Sequence, residues 1–321
     1  LLLKARYYNS KSGTDNNKKS VEYLEQAVAV DPNYALAHAE LSMSYSGLAA
    51  NSLADPKVYI PKAESAARKA LELDGNLAEA HMAISRIYIA RWQWQEAEAE
   101  RKRAVELDPN NARTHSRYAA LLSLLGRHDE AIAEARRAKE LDPLSPLMGH
   151  ELGYRLHFAQ RYDESIAELK KVLKSDPNQD YGYVILGFAY AGKGQFKEAI
   201  AAYQEAIRLG DESPGTQIYL GAAYAQAGER GKGQAILKQL QTTKEYVSPG
   251  ELAILYGALG DKEAAFASLE KAYAEHDLQL IFLKVDPAFD PLRDDPRFTD
   301  LMRRVGLPLE IVHVVKAVVI A

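Results

Sequence analysis

Residues 104–143 read AVELDPNNARTHSRYAALLSLLGRHDEAIAEARRAKELDP, and the Asp-Pro step near each end of this stretch decides the fold. Pro109, Pro143 and Pro177 each follow an Asp and stand 34 residues apart, since 143 − 109 = 34 and 177 − 143 = 34. A residue that precedes proline is pushed out of the α-helical region, so each Asp-Pro step is expected to end a helix. A fixed period of this length is typical of proteins that stack one structural unit on the next.

The same period extends along the chain in both directions. Asp211 lies one period after Pro177, and Gly75 lies one period before Pro109. Pro32 stands 43 residues before Gly75, which is one period plus nine inserted residues, since 43 − 34 = 9. Small or β-branched residues recur in phase five residues before each of these anchors (Ala27, Ala70, Ala104, Ala138, Val172, Ala206) and twelve residues before them (Ser20, Ala63, Ala97, Ala131, Ser165, Ala199).

Each period predicts two antiparallel helices in close contact. Gly153 on a first helix is expected to face Ser165 on the second, because only small side chains let two helix backbones approach closely. Gly187 and Ala199 form the corresponding pair one period later. Glycine also suits the turn inside each pair, and it is found there at Gly126, Gly194, Gly228 and Gly260.

These features resemble the tetratricopeptide repeat (TPR), a helix-turn-helix unit of 34 residues. The resemblance covers residues 1–279 and implies an all-α fold, a TPR superhelix or alpha solenoid of about eight antiparallel helix pairs. The pairs are expected to begin near Leu1, Ala35, Ala78, Ala112, Pro146, Asp180, Pro214 and Tyr246. One elongated domain is therefore expected.

Two segments interrupt the period. The second repeat contains the nine-residue insertion, and its segment Ala49–Pro56 is expected to be an exposed loop before a helix that restarts near Pro61. Residues 280–308 are expected to be a C-terminal capping segment that covers the end of the last repeat with Phe282, Val285, Phe289, Leu292, Phe298, Leu301 and Met302. Residues 309–321 form an apolar tail, which the sequence leaves open as a packed strand, a groove-bound segment or an extraneous addition.

The capping segment carries a second, more specific resemblance. Residues 286–298 read DPAFDPLRDDPRF, and Arg-Trp-Gln-Trp occupies positions 91–94 upstream. Both are similar to the C-terminal TPR regions of bacterial signalling proteins, in which the repeats follow a serine/threonine kinase, an adenylate cyclase or a winged-helix transcription regulator. This resemblance implies a possible fusion to a signalling domain that lies outside these residues.

Composition excludes several classes of partner. The chain has 40 Lys and Arg against 44 Asp and Glu, a net charge of −4, so no nucleic-acid partner is expected. No stretch of 18 apolar residues is present, so no membrane span is expected. The absence of cysteine excludes disulfides and thiolate metal sites but leaves the compartment open. A cytoplasmic location is expected, with the periplasm as the alternative.

No constellation of residues predicts chemistry. The glycines and lysine of residues 228–234 lack the spacing of a phosphate-binding loop. His38, His81 and His115 recur at one repeat position, but equivalent atoms of neighbouring repeats lie about 10 Å apart, as packed helix axes do. Zinc requires ligands at about 2 Å. We therefore expect no catalytic activity, no cofactor and no metal site.

Binding is expected on the concave face. In TPR families the second, fifth, ninth and twelfth residues of each first helix face the concavity, which implies a basic, polar half (Glu79, Met82, Arg86, Arg113, Ser116) and an aromatic half (Leu147, His150, Tyr154, His157, Tyr181, Val184, Phe188). A protein or peptide partner with an acidic part and an apolar part would match this groove. The alternative is that Tyr154, His157 and Phe188 pack against adjacent helices.

The sequence therefore predicts a non-catalytic protein-interaction scaffold that binds a peptide or protein segment in its groove. The alternative is the regulatory or sensor region of a bacterial signalling protein whose catalytic or DNA-binding part lies elsewhere. A third hypothesis, a sensor of a small ligand, has no supporting pocket motif.

Overall fold

The computed structural model describes residues 1–9, 14–50 and 56–309, and every regular element in these ranges is a helix. Sixteen α-helices in the described ranges form eight consecutive pairs: α1 Leu2–Asn9 with α2 Thr14–Val30, α3 Ala35–Ala50 with α4 Pro56–Leu73, α5 Ala78–Ala90 with α6 Trp94–Leu107, α7 Ala112–Leu124 with α8 His128–Leu141, α9 Pro146–Phe158 with α10 Tyr162–Ser175, α11 Asp180–Gly192 with α12 Phe196–Arg208, α13 Pro214–Gln226 with α14 Arg230–Thr242, and α15 Pro249–Ala258 with α16 Lys262–Glu275. Each pair stacks on the next. The predicted all-α solenoid is confirmed.

After the last pair come two short 3-10 helices, Leu278–Phe282 and Pro287–Leu292, and then α17, Pro296–Arg304. Within the described ranges, no helix combines the length and the apolar character needed to cross a membrane.

The helix starts follow the period. Helices α3, α5, α7, α9, α11 and α13 begin at the predicted residues. The eighth pair begins at Pro249, three residues later than predicted, since 249 − 246 = 3. Ser248 fixes this start, because its Oγ accepts a hydrogen bond from the Glu251 backbone N–H at 3.1 Å.

The turns inside the pairs explain why some periods lack the expected glycine. Gly126, Gly194, Gly228 and Gly260 have positive φ angles of 81°, 80°, 87° and 76°, as the turn requires. Trp92 and Gln160 occupy the same repeat position with φ of 59° and 57°. A left-handed non-glycine residue costs on the order of 1–2 kcal/mol. Stacking of the Trp92 ring on His276, with centroids 4.7 Å apart, offsets this cost for Trp92.

The paired helices approach each other closely, as predicted. A large side chain from the second helix fills the space beside Gly153 and beside Gly187. Ser165 Oγ donates a hydrogen bond to the Gly153 carbonyl at 2.7 Å, so these helices touch where predicted. A Cβ atom on Gly153 would lie 2.7 Å from Leu169, one helical turn beyond Ser165. A Cβ on Gly187 would likewise overlap the Tyr203 ring. The glycines therefore make room for large side chains as well as for backbone.

The insertion in the second pair mostly lengthens its helices, so the prediction of a restart near Pro61 is wrong. Helices α3 and α4 have 16 and 18 residues, whereas α5 and α6 have 13 and 14. Pro61 lies inside α4, where it removes one backbone hydrogen bond near the helix start. The Tyr59 ring packs 5.7 Å from Tyr45, and this contact anchors the added turn. Of the predicted loop Ala49–Pro56, the first two residues lie in α3 and the last begins α4, and residues 51–55 lie outside the described residues.

The segment that follows α16 forms what we call the brace, residues 278–307. Its 3-10 helices pack on α15 and α16, and the side chains of Leu283, Phe289, Leu292 and Val305 are fully buried. These residues belong to a continuous core that reaches back to Ile89. The brace therefore covers the last pair and also packs against earlier pairs. Residues 310–321 of the apolar tail lie outside the described residues.

The brace connects the last pair to the third, fourth and fifth pairs. Trp94 of the third pair donates a hydrogen bond from Nε1 to the Val305 carbonyl at 3.0 Å. Lys284 Nζ donates to the Leu125 carbonyl of the fourth pair at 3.1 Å. In the fifth pair, the Phe158 ring lies 5.8 Å from Phe282. Pairs three to eight thus curve around one strip of chain.

Candidate functional site

The first helices of the pairs form one continuous surface, which we call the inner face. Two parts of it differ in chemistry. The basic half lies on the third and fourth pairs, α5 to α7, and the aromatic half lies on α9, α11 and α13.

Three arginines form the centre of the basic half. Arg101, on α6, is 4% exposed, and its Nε donates a hydrogen bond to Ser85 Oγ at 2.8 Å. Its Nη1 is buried and has no hydrogen-bond partner among the described residues. Arg86 Nη2 donates one long bond, 3.3 Å, to the Ser46 carbonyl. Arg117, on α7, forms no hydrogen bond or ion pair with any residue that the structure describes, although its charge acts on both of the others.

The positive charges of these arginines act on one another. Burial lowers the pKa of Arg101 to about 9, and the positive charges of Arg117 and Arg86 lower it further. Burial lowers the pKa of Arg86 to about 10, with a contribution from Arg117. Both values lie above neutral pH, so these groups stay protonated at pH 7. The centre therefore holds crowded positive charge.

Repeat register shows that the cluster is peculiar to two pairs. The position of Arg101 is occupied in other pairs by Ala67, Ala135, Leu169 and Tyr203, and that of Arg86 by Ala120, Tyr154 and Phe188. The groove prediction did not include Arg101, because it considered only first helices. The 34-residue register carried the missing signal, since it places an arginine where other periods have small or apolar residues.

Arg113 and Glu79 lie toward the rim of the basic half. Arg113 is the most exposed of the four arginines. Partial burial lowers its pKa and Arg117 lowers it further, whereas the carboxylates of Glu40 and Glu79 oppose that shift. The predicted residues Glu79, Arg86 and Arg113 therefore share one surface, with acidic groups at its edge and arginines at its centre.

In the aromatic half, the predicted residues pack against one another. The Tyr154 ring lies 4.4 Å from Phe158 and 5.8 Å from Phe188. Phe188 lies 4.4 Å from Tyr219 on the next first helix. His157 is 3% exposed, and burial lowers its pKa to about 3 with a contribution from the Arg155 charge, so it is neutral at pH 7. Packing against adjacent helices, the alternative weighed from the sequence, describes these positions.

The brace covers this aromatic cluster. Tyr219 donates a hydrogen bond from its hydroxyl to Asp286 Oδ2 at 2.7 Å. A small cavity of about 50 Å³ remains between Asp286 and the rings of His157 and Phe188. This volume suits a few water molecules. The aromatic half therefore offers little room for a partner side chain.

His150 and Tyr181, on α9 and α11, belong to the aromatic half, and the Arg117 charge of the basic half acts on Tyr181. His150 is 2% exposed, and burial lowers its pKa although nearby carboxylates oppose the shift. Its ring meets Tyr181 edge-on at 6.0 Å. Tyr181 and Leu147 remain 38% and 42% exposed, so they supply apolar surface beside the basic half.

The far end of the inner face is acidic, which the sequence did not predict. Burial raises the pKa of Glu251 to about 7, and the charges of Asp277 and Asp286 raise it further. Asp277 Oδ2 accepts hydrogen bonds from Ser248 Oγ at 2.6 Å and from the Gly250 N–H at 3.0 Å. The inner face therefore changes sign between the third and the eighth pair.

The recurring histidines have a structural role. His81 and His115 each bond through Nε2 to the carbonyl six residues earlier, of Gly75 at 3.0 Å and Pro109 at 2.9 Å. Their Nδ1 atoms contact Glu100 and Glu134 on the following helices. No cluster of three metal-ligating side chains occurs in residues 1–9, 14–50 and 56–309.

Comparisons with known proteins agree with this architecture. Two tetratricopeptide repeat family models match the chain, over residues 102–133 and residues 150–215. No curated protein matches it in sequence. Among solved structures, it is similar to human IFIT1 in a dimer with m7Gppp-AAAA (TM-score 0.59, 13% identity, 90% of this chain and 77% of that one).

Two further solved structures are similar over most of the chain. The APC/C hetero-tetramer Cut9–Hcn1 has a TM-score of 0.58 and 16% identity, over 94% of this chain and 58% of that one. A tetratricopeptide repeat protein from Parabacteroides merdae has a TM-score of 0.55 and 15% identity, over 82% of this chain and 99% of that one. The chain therefore contains TPRs arranged as a solenoid, and likeness at these identities extends to the fold alone.

Proposed function

We propose that this chain is a non-catalytic scaffold that binds a segment of a partner protein on the basic half of its inner face. The proposal rests on the observation that the brace covers one half of the inner face and not the other. The brace lies over the aromatic cluster, whereas Arg86, Arg101 and Arg117 have few partners among the described residues. Charged donors near apolar surface are the usual composition of a specific protein interface.

The partner segment should combine an acidic group with an apolar one. The acidic group complements the arginines through charge-assisted hydrogen bonds. The apolar group would contact Leu147 and Tyr181, which are partly exposed beside the arginines. The IFIT1 structure contains m7Gppp-AAAA, so RNA is the competing ligand class for a basic TPR surface. A net charge of −4 and the rim carboxylates Glu40 and Glu79 favour a protein partner.

Site-specific photo-crosslinking tests the location. A benzoylphenylalanine at Leu147, on the inner face, is expected to capture the partner in source cells, and the same group at Leu144 serves as the control. Leu144 is 92% exposed in the preceding loop, so it is the more accessible of the two. Mass spectrometry identifies the captured segment, which is then synthesised and titrated into purified protein. Equal capture from both positions would place the interface elsewhere.

Charge reversal tests the chemistry. The double variant Arg86→Glu, Arg113→Glu should weaken binding of the synthesised segment at least about tenfold, because attraction is replaced by repulsion. The melting temperature of the variant serves as the control for folding. Unchanged affinity would remove the arginines from the interface.

A second candidate function is the regulatory region of a bacterial signalling protein, on the strength of residues 286–298. In the structure these residues build the brace: Asp286 and Asp295 cap the starts of its helical segments, and the Phe289 and Phe298 rings lie 6.0 Å apart. We propose that this sequence pattern preserves the brace. The gene region upstream of the codon for Leu1 tests the idea, since a kinase, cyclase or winged-helix sequence there is required.

We further propose that the chain acts without turnover of its own and in the cytoplasm. Purified protein is expected to show no phosphotransferase, cyclase or hydrolase activity. An activity that persists through repurification and disappears on a point substitution would contradict the first point, and periplasmic recovery of the tagged protein would contradict the second.

A further inference from the structure

The centre of the basic half has an excess of hydrogen-bond donors. Three guanidinium groups carry fifteen N–H donors, five each. Arg86 and Arg101 use two of them, in the bonds to Ser46 and Ser85, and Arg117 uses none within the described residues. Buried polar groups are normally satisfied, so the buried Nη1 of Arg101 calls for an explanation, whereas Arg86 and Arg117 are partly exposed.

The charge is also unbalanced. The described groups that act on Arg86 and Arg101 are other arginines, Arg117 for both and Arg86 for Arg101. By contrast, Arg155 on the neighbouring first helix is also 4% exposed but is paired with Glu151 at 3.3 Å. Unpaired buried charge is costly, and an anion that enters the cluster would relieve both desolvation and repulsion.

The geometry of the cluster limits how an anion can enter. Ser85 holds the Arg101 side chain in place, because its Oγ accepts a hydrogen bond from Arg101 Nε–H. The Ser85 hydroxyl in turn donates to the Ala97 carbonyl at 3.0 Å. Its unpartnered Nη1 is left for a ligand. Arg86 and Arg117 come from adjacent first helices and are partly exposed, so an anion from solvent would meet them before the buried Arg101.

We propose that Arg86, Arg101 and Arg117 form a binding site for a phosphoryl group carried by the partner segment, such as a phosphorylated serine or threonine. Three positive charges exceed what one carboxylate neutralises, whereas a phosphate monoester carries nearly two negative charges and three acceptor oxygens. Arginine clusters are a recurrent means of phosphopeptide recognition. This inference rests on the proposed function and specifies the chemistry of the partner.

The test uses the full chain and defined probes. The probes are the peptides acetyl-AAXAA-amide with phosphoserine, glutamate or serine at X, inorganic phosphate, and the RNA pentamer of adenosine. Titrations follow the arginine Nε–Hε resonances by NMR, which detect weak binding. Arg101→Met removes the charge with little loss of volume, and Arg137→Met is the matched control, because Arg137 is 46% exposed on α8 and its substitution changes net charge equally.

The phosphoserine peptide and inorganic phosphate are expected to bind the wild type and Arg137→Met equally. Arg101→Met should weaken both at least about tenfold, the value of one lost charge-assisted contact. Should Arg101→Met fail to fold, Arg117→Gln replaces it, with the same expectation. Three results would overturn the proposal: equal binding by the Arg101 and Arg137 variants, equal binding of the glutamate and phosphoserine peptides, or tighter Arg101-dependent binding of the RNA.

The outcome also separates this inference from the proposed function. A partner segment that crosslinks at Leu147 and binds equally with and without phosphatase treatment would refute the phosphoryl site and leave the scaffold intact. Phosphate binding that depends on Arg101, combined with no crosslinked partner, would support the site and refute the scaffold.

Discussion

The two halves of the inner face use the same repeat position for opposite purposes. Arg86 in the third pair corresponds to Tyr154 in the fifth and Phe188 in the sixth, because whole multiples of the 34-residue period separate these positions. The two aromatic residues pack into a cluster that the brace covers, whereas Arg86 stays partly exposed with one long hydrogen bond. A position that faces a groove therefore binds a partner only if the chain itself leaves that part of the groove open.

The largest expected effect concerns the cover of the aromatic half. Phe289→Ala removes a fully buried ring of the brace, so unfolding free energy should fall by about 3–5 kcal/mol in urea denaturation. Leu144→Ala, at a position that is 92% exposed, is the control and should change stability by less than about 0.5 kcal/mol. Hydrogen exchange should show greater loss of protection in α9–α13 than in α3–α4. A loss under about 1 kcal/mol would show that the aromatic half does not depend on the brace.

The next effect is the response of the aromatic half to acid. Burial lowers the pKa of His157 to about 3 in the folded protein, against an unfolded value near 6.5. Between these values the unfolded chain binds more protons, so this stability contribution is complete above about pH 6.5 and declines as pH falls toward 3. Wild type should therefore lose unfolding free energy as the pH falls through this window, and His157→Phe should reduce that loss by roughly 2–4 kcal/mol. Identical profiles for variant and wild type, measured by urea denaturation at a series of pH values, would contradict the buried neutral histidine.

A direct comparison of equivalent positions comes third. Phe188→Ala should lower unfolding free energy by about 2–3 kcal/mol, because the ring contacts Tyr154 and Tyr219. Arg86→Ala, at the same repeat position, should change it by less than about 1 kcal/mol, since it loses one weak hydrogen bond and relieves repulsion. Chemical denaturation of both variants measures the difference. Equal losses would remove the distinction between the two halves.

The smallest effect has the opposite sign. Arg101→Met should raise unfolding free energy in phosphate-free buffer by about 1 kcal/mol, because a buried charge surrounded by like charges is replaced by an apolar side chain of similar length. Chemical denaturation provides the measurement, with Arg137→Met as the neutral control. A clear loss of stability would assign Arg101 a structural role through Ser85.

Sequence reasoning performed well wherever the relevant contact lies within one period. The starts of α3, α5, α7, α9, α11 and α13, the turn glycines and the contact of Gly153 with Ser165 depend on residues less than one repeat apart. Sequence reasoning was less accurate where a contact with a distant residue overrides a local sequence rule. Trp92 holds a left-handed turn because it stacks on His276, and Pro61 is tolerated inside α4, where Tyr59 packs on Tyr45. Neither partner is visible in a local pattern.

The sequence by itself determined the number of helix pairs, their phase and the chemical difference between the two halves, because each follows from a repeated local spacing. Only the tertiary structure decided which half is covered. The bond from Trp94 to Val305 joins residues 211 positions apart, and the curvature that brings them together accumulates from small rotations between successive pairs. The same curvature, together with packing within the third pair, gathers Arg86, Arg101 and Arg117 from three helices into one cluster.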